Sequence, residues 1–151
     1  MNPDVRLEVR ADPKLLRAVR AFLRSYLESQ GLGAEAAANV VLAVDEACAN
    51  SIRHAYHFST TGVVDLVILA DDAGLEVQVA DQGETADPTL LRRRELGAGE
   101  VQPPAPGGLG VQIMYRVFDE VSYAPGERGG NRVTMRLAWP GGAGAAPRGG
   151  A

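Results

Sequence analysis

The chain has 151 residues, of which 46% are hydrophobic and 23% charged, and its formal net charge is −4. This length suffices for one domain with a hydrophobic core, and the composition is that of an ordinary globular protein. The acidic balance gives no reason to expect binding to nucleic acid or to an anionic membrane surface. Because the sequence shows neither a bilayer-spanning apolar run nor a signal pattern, we expect a cytoplasmic protein.

The first part of the chain predicts a strand followed by a helix. Residues 5–10 alternate strictly between apolar and charged side chains, which indicates a half-buried strand. Asp12 and Pro13 then supply an N-cap and a first-turn proline. We therefore expect a helix that continues to about Ser29.

A basic stripe lies along one face of this predicted helix. Its members, spaced at helical intervals, are Arg17, Arg20 and Arg24. Such a stripe is usually only a solvated surface, and the alternative is a docking surface for an acidic partner.

The most informative stretch is an Ala-rich segment from about Ala34 to His57, which contains neither Pro nor Gly and is predicted to be helical. Side chains three or four positions apart share a stripe, and one polar stripe comprises Glu46, Asn50, Arg53 and His57. A carboxylate beside a carboxamide combines a proton acceptor with a neutral oxygen ligand, and Mg²⁺ prefers such oxygens. The alternative interpretation is the solvated face of an amphipathic helix.

Another face of the same segment is apolar and comprises Val41, Val44, Cys48, Ile52 and Ala55. Cys48 is the only cysteine, so an internal disulfide is impossible. Its position predicts a small buried hydrophobe rather than a reactive thiol. His54 and His57 have no cysteine or carboxylate cluster around them, so we expect them to be structural or exposed and predict no transition-metal site.

The second half of the chain predicts further strands and fixes the fold class. Apolar alternation indicates strands at residues 63–70 and 75–81, joined across a hairpin signal at residues 71–74. A last hairpin joins strands at residues 119–124 and 132–139. The order of elements predicts an α+β protein, a two-layer sandwich in which a mixed, mostly antiparallel sheet carries its helices on one face.

Residues 82–110 are the irregular part of the sequence. Asp87 and Pro88 are expected to begin a short helix that extends through Leu96. Residues 97–108 are rich in Gly and Pro, and a loop of this length in a compact domain is usually functional or disordered.

Composition also predicts the end of the folded part. A helix is expected at residues 109–118, before the last hairpin. Residues 141–151 consist of Gly, Ala and Pro apart from one Arg, which predicts a domain at residues 1–140 and a disordered tail at residues 141–151.

Two glycine clusters follow the Ala-rich segment. Asp81 and Gly83 end a predicted strand, so a carboxylate is fixed at the sheet edge with a glycine nearby. Residues 107–110 (Gly-Gly-Leu-Gly) open a predicted helix, where backbone amides favour anions and glycines permit close approach to a phosphate. Either cluster alone is an ordinary turn or loop signal.

Together and in this order, the motifs resemble the Bergerat ATP-binding fold of the GHKL group, which includes gyrase B, Hsp90, MutL and histidine kinases. The resemblance is closest to the small anti-sigma factors that are serine-protein kinases. Residues 46–56 (EACANSIRHAY) look like that family's N-box, residues 79–83 (VADQG) like its first glycine box and residues 107–114 (GGLGVQIM) like its second. Residues 130–135 (GNRVTM) resemble the terminal strand with a nucleotide-contacting threonine. The similarity covers residues 5–139.

This resemblance implies a site for ATP and Mg²⁺. Glu46 would be the general base, and Asn50 would ligate a Mg²⁺ ion that bridges the ATP phosphates. Asp81 would accept a hydrogen bond from the adenine amino group. Gly83 would permit close approach of the base, and Thr134 would support Asp81 or its water.

The phosphates would lie at the second glycine box. The residues assigned there to nucleotide binding are Gly107, Gly108, Leu109 and Gly110. Arg53 would reach a phosphate or form a surface ion pair, and residues 97–107 would be the ATP lid.

The first glycine box departs from the family pattern. Glu84 and Thr85 follow Gly83, so the usual second glycine is absent. A side chain there narrows the site, and Glu84 would repel phosphate if it pointed inward. This departure bears on nucleotide affinity and lid closure rather than on the fold.

The implied function is that of an anti-sigma factor type serine-protein kinase. It would bind ATP-Mg, phosphorylate a serine of a STAS-domain antagonist and sequester a sigma factor, with the basic stripe as a docking surface and a homodimer as the common family state. The alternative is a non-catalytic, nucleotide-responsive binding module, which the missing glycine favours. The presence of both Glu46 and Asn50 favours the enzyme.

Two other activities of the group are disfavoured. An ATPase of the gyrase or Hsp90 type would be expected to have a transducer domain. A histidine kinase would be expected to have a preceding dimerisation helix with a phospho-accepting histidine.

Overall fold

A computed structural model describes residues 4–92, 108–126 and 129–140. The strands in these residues are β1 (Val5–Arg10), β2 (Val63–Ala70), β3 (Gly74–Asp81), β4 (Glu120–Pro125) and β5 (Asn131–Ala138). The α-helices are α1 (Leu16–Ser29), α2 (Ala34–Asn50) and α3 (Gly108–Val117). Shorter helical turns are a 3₁₀ turn at Pro13–Leu15, a π turn at Ser51–Ala55 and a 3₁₀ turn at Pro88–Leu91.

The five strands form one sheet in the order β1-β2-β3-β5-β4. All four pairings are antiparallel. The predicted α+β class is therefore confirmed, whereas the expected parallel contribution to a mixed sheet is absent from the described strands. Hairpins make the pairs β2–β3 and β4–β5 antiparallel. After β3 the chain passes through α3 to the edge strand β4, and β5 then returns between β4 and β3.

The core lies between one face of the sheet and the helices. Every second residue of the central strands is buried there: Val64, Leu66, Ile68, Leu75, Val77, Val79, Val133 and Met135. The helix α1 contributes Leu16, Val19, Leu23 and Leu27 to the same cluster. Because alternate residues of a strand point to the same side, the alternating apolar pattern of the sequence corresponds to a sheet with one face covered by helices.

The opposite face of the sheet is partly ionic. Arg136 on β5 donates to the carboxylate of Glu76 on β3 across 2.6 Å. Burial alone would raise the pKa of Glu76, but hydrogen bonds from Arg136 and Gln78 lower it below its usual range.

The single tryptophan of the chain directly follows the last strand. Trp139 is 8% exposed and its indole N–H donates to the backbone carbonyl of Asp71 across 2.7 Å. This contact ties the end of β5 to the turn between β2 and β3.

The helix predicted to reach His57 ends earlier. Regular α-helix stops at Asn50, and a π turn covers residues 51–55. His57 and Phe58 then adopt left-handed φ values of 49° and 64°. The prediction that His57 shares the stripe of Glu46 is therefore wrong, because the chain has left the helix before it.

The short helix expected to extend through Leu96 is also different. Asp87 caps it as predicted, but the 3₁₀ turn ends at Leu91 and Arg92 has an extended ψ of 143°. The remaining predicted helix, the lid at residues 97–107 and the tail at residues 141–151 lie outside the described residues.

Within the described ranges, no helix combines the length and apolarity that crossing a membrane requires.

Cys48 is packed inside the core as the sequence indicated, with 2% of its surface exposed. Burial raises the pKa of the Cys48 thiol to about 12, and the negative charge of Asp45 adds to this effect. The reactive thiolate is therefore scarce at neutral pH.

We expect the native protein to resist chemical modification of the Cys48 thiol. The thiol should react with a disulfide reagent at pH 8 only after unfolding in guanidinium, because both burial and a raised pKa suppress the thiolate. Spectrophotometric titration with and without denaturant measures this difference. Rapid stoichiometric reaction of the native chain would contradict it.

Candidate nucleotide-binding site

The carboxylate of Asp81 is buried at the end of β3, with 5% of the residue exposed. Its Oδ2 accepts a hydrogen bond from the Ser51 hydroxyl at 2.8 Å. Its Oδ1 accepts from the Gly83 amide at 3.1 Å and from the Asn131 side-chain amide at 3.0 Å. These three donors offset the cost of burying the carboxylate and fix its orientation.

The first glycine box is docked on the π turn. A Cβ at Gly83 would collide with the backbone carbonyl of Ala55, so only glycine permits this approach. The Glu84 amide donates to the same carbonyl at 2.8 Å. The Tyr56 hydroxyl accepts from the Gln82 amide at 2.8 Å. The turn after Asp81 is therefore held close to the end of the helical segment.

The structure does not bring Thr134 to Asp81. Thr134 pairs with Gln78 across the sheet, on the face opposite to that of buried Val133. Asn131 pairs with Asp81 and shares its face, and its side chain makes the contact that was assigned to Thr134. The reason is the two-residue period of a strand, which separates positions 131 and 134 onto opposite faces.

The polar stripe of α2 is assembled as the sequence predicted, except for His57. Arg53 Nη2 lies 3.5 Å from Glu46 Oε2 and 3.4 Å from Asn50 Oδ1. Its Nε is buried and has no hydrogen-bond partner among the described residues. A carboxylate, a carboxamide oxygen and an unsatisfied guanidinium N–H are thus concentrated within two helical turns.

The first turn of α3 lies against this stripe. A Cβ at Gly110 would meet the carboxylate of Glu46, so a side chain there would displace that carboxylate. The helix begins at Gly108, and its first backbone amides have no partner within the helix, which suits an anion. Gly107 lies outside the described residues, and of Leu109 only the backbone is described.

A single stretch of chain connects the two halves of the site. Asn50 faces Arg53, and the next residue, Ser51, binds Asp81. Glu46 and Asn50 thus share Arg53 as a neighbour, and Asp81 is bound to the residue that directly follows Asn50.

The chain that leads toward the predicted lid is fixed to α3. The Tyr115 hydroxyl donates to the Leu91 carbonyl at 2.8 Å, and the Gln112 side-chain amide donates to the Arg92 carbonyl at 3.1 Å. Both ends of the stretch between residues 92 and 108 therefore lie at the same helix.

The exposed Glu84 side chain is turned toward His57. Its carboxylate lies 2.7 Å from His57 Nε2, and both side chains are about 70% exposed. The repulsion considered for an inward-pointing Glu84 is absent from this arrangement.

The basic stripe of α1 contains two kinds of residue. Arg20 pairs with Asp45 on α2 at 2.9 Å, whereas Arg17 and Arg24 are exposed. Asp45 directly precedes Glu46. The stripe therefore borders the element that carries the site.

Three residues of the site were missed by sequence analysis: Ser51, Tyr56 and Asn131. All three lie in quoted motifs, Ser51 and Tyr56 in the N-box and Asn131 in the terminal strand. Finding Asn131 required the pairing of β5 with Asp81, which the sequence does not specify.

Residues 9–137 match the histidine kinase-like ATPase domain family. The chain belongs to this family.

Curated relatives agree with this assignment. The chain is 31% identical over 117 residues to the serine-protein kinase RsbW of Bacillus licheniformis, covering 74% of this chain and 71% of that protein. It is 30% identical over 121 residues to RsbW of Bacillus subtilis strain 168, covering 78% and 75%. It is 30% identical over 125 residues to RsbW of Listeria monocytogenes serotype 4a, covering 80% and 79%. These relatives confirm the prediction of a serine-protein kinase of this family.

Solved structures support the fold. The RsbU and RsbW domains of Rv1364c from Mycobacterium tuberculosis align with a TM-score of 0.61 and 23% identity, covering 91% of this chain and 34% of that one. The SiaB–SiaC complex from Pseudomonas aeruginosa aligns with a TM-score of 0.66 and 16% identity, covering 89% of each chain. The predicted Bergerat-type sandwich is confirmed.

We expect Gly110→Ala to weaken Mg-ATP binding about tenfold, the scale of one hydrogen bond to a charged group. The added methyl would displace the Glu46 carboxylate and shield the first amides of α3. Because Glu46 can rotate, thermal stability should change little. Titration with a fluorescent ATP analogue measures the affinity.

Gly33→Ala is the matched control, since a Cβ at Gly33 meets nothing within 4 Å. Equal affinities of the two variants would show that the contact between Gly110 and Glu46 does not contribute to nucleotide binding.

Proposed function

We propose that this protein is an ATP-dependent serine-protein kinase of the anti-sigma type. It phosphorylates a serine of a STAS-domain antagonist and sequesters a sigma factor, and it acts in the cytoplasm, where these partners work. The observation that carries the proposal is the contact of Gly110, at the start of α3, with Glu46 in the polar stripe of α2.

The residues present fit ATP and Mg²⁺. The Arg53 guanidinium, beside Glu46 and Asn50, is a donor for a phosphate oxygen, and Gly110 lets the start of α3 lie against Glu46. Asn50 offers its carboxamide oxygen to Mg²⁺, and Asp81 accepts from the adenine amino group. When bound, Mg²⁺ neutralises phosphate charge and orients the phosphates.

The proposed reaction transfers a phosphoryl group to a serine hydroxyl. The serine oxygen forms a bond to the γ-phosphorus while the bond to the β–γ bridging oxygen breaks, and ADP is the leaving group. The Glu46 carboxylate accepts the hydroxyl proton. Catalysis rests mainly on positioning and on charge stabilisation, which Arg53 and the first amides of α3 supply.

The basic stripe is the proposed docking surface for the partner proteins. Exposed Arg17 and Arg24 favour acidic partners, and Arg20 anchors the stripe to α2 through Asp45. A homodimer, common in the family, stays a prediction.

The second candidate function is a non-catalytic, nucleotide-responsive binding module. Glu84 and Thr85 replace the second glycine of the first box, and the Thr85 hydroxyl donates to the Gly130 carbonyl at 3.3 Å. This contact closes the box against β5, which would favour retention of nucleotide over turnover.

Glu46→Gln should reduce phosphoryl transfer at least about 100-fold, because a positioned general base contributes on that scale. The amide preserves the shape of the side chain, so Mg-ATP affinity should be retained. Incubation with γ-labelled ATP, Mg²⁺ and a STAS-domain protein encoded nearby measures the transfer.

Glu35→Gln, at an exposed position of α2, controls for the charge change. Label on a partner serine that is lost only in Glu46→Gln supports the kinase. Tight nucleotide binding with an unlabelled partner supports the binding module instead.

Asn50→Ala should abolish the Mg²⁺-dependent part of nucleotide binding, because it removes the proposed metal ligand. Calorimetric titration of ATP in Mg²⁺ and in EDTA separates that part from the rest. Affinities equal to those of the unchanged protein in both buffers would refute the metal role.

A further inference from the structure

We propose that the Asn131 carboxamide is a positioning residue that aims Asp81 at the amino group of the base and anchors the first glycine box in place of its second glycine. This inference deepens the proposed nucleotide function and rests on it.

Three hydrogen bonds occupy both N–H groups and one acceptor position of the Asn131 carboxamide. Its Nδ2 donates to Asp81 Oδ1 at 3.0 Å and to the Glu84 carbonyl at 2.9 Å. Its Oδ1 accepts from the Ala86 amide at 2.7 Å. The chemistry fixes the amide orientation, because two acceptors require the NH₂ group and one N–H requires the oxygen.

These contacts determine which carboxylate oxygen of Asp81 can accept a further hydrogen bond. Oδ1 already accepts from Gly83 and Asn131, whereas Oδ2 accepts only from Ser51 among the described residues. A carboxylate oxygen accepts about two hydrogen bonds, so the free capacity lies on Oδ2. A nucleobase with an amino group there would donate a hydrogen bond to Oδ2. A nucleobase with a carbonyl there would place one acceptor against another.

The same carboxamide holds the segment that lacks glycine. Glu84 and Ala86 are both bound to Asn131, and Thr85 between them is bound to the Gly130 carbonyl. Residues 84–86 are therefore attached to the start of β5. They lead directly into the Asp87-capped turn, so one side chain connects the base site with the approach to the predicted lid.

The approach of β5 depends on the preceding residue. Gly130 has a φ of 80°, and a Cβ there would collide with the backbone carbonyl of Asp81. A glycine at 130 thus brings Asn131 opposite Asp81. Alanine at 131 would lack all three hydrogen bonds, and aspartate would place an oxygen against two acceptors.

Base discrimination tests the positioning role. Affinities for Mg-ATP and Mg-ITP, which carries a carbonyl in place of the adenine amino group, are measured for the unchanged protein, Asn131→Ala and Asn39→Ala. We expect Asn131→Ala to reduce the preference for ATP about tenfold, as loss of one charged hydrogen bond would. Exposed Asn39 provides the matched control and should leave the preference unchanged.

A nucleotide-free measurement tests the contact itself. In Asn131→Asp, two adjacent carboxylates would share a proton, which raises the pKa of the folded pair above the unfolded value. The stability associated with that proton is complete at low pH and is lost as pH rises through the raised pKa. Thermal unfolding should therefore show Asn131→Asp losing stability between about pH 5 and pH 8, relative to Asn39→Asp.

The nearby His57–Glu84 pair is present in both variants, so the difference between them cancels its contribution. Parallel pH profiles of the two Asp variants, or an unaltered ATP preference in Asn131→Ala, would overturn the inference alone. Failure of the unchanged protein to bind ATP would overturn the proposed function together with this role.

Discussion

The structure depends on one buried carboxylate. Asp81 lies at the junction of a helical segment, a central strand and the start of the last strand, and each contributes a donor or a neighbour to it. An ionised carboxylate without such partners would cost several kcal/mol to bury. Ser51, where the π turn begins, and Asn131, where β5 begins, are therefore constrained in position.

The π turn at residues 51–55 is how the helical segment meets this requirement. A π turn inserts an extra residue into helical geometry and is frequently found at functional sites. Here Ser51 binds Asp81 while Asn50 faces Arg53, so one short stretch contributes to both halves of the proposed site. The chain then reverses at His57, which turns outward to Glu84.

Much of this arrangement follows from local patterns. Alternation predicted the strands, and the three-to-four spacing placed Glu46, Asn50 and Arg53 together, because both periods are set by backbone geometry. Features that depend on contacts between distant elements were not predictable. The sequence does not show that the π turn excludes His57 from the stripe, or that β5 pairs so as to turn Thr134 away from the site. Fold and family are thus readable from sequence, whereas the partners of a buried carboxylate require the pairing of strands.

The position of the single tryptophan makes it a selective optical probe. Trp139 directly follows the far end of the β3–β5 ladder, about 27 Å along the strand from Asn131 at 3.4 Å per residue. Its indole is held by the β2–β3 turn. Intrinsic fluorescence should consequently follow loss of the sheet during unfolding while remaining insensitive to occupancy at the other end. Global folding can thereby be monitored separately from ligand uptake without any added label.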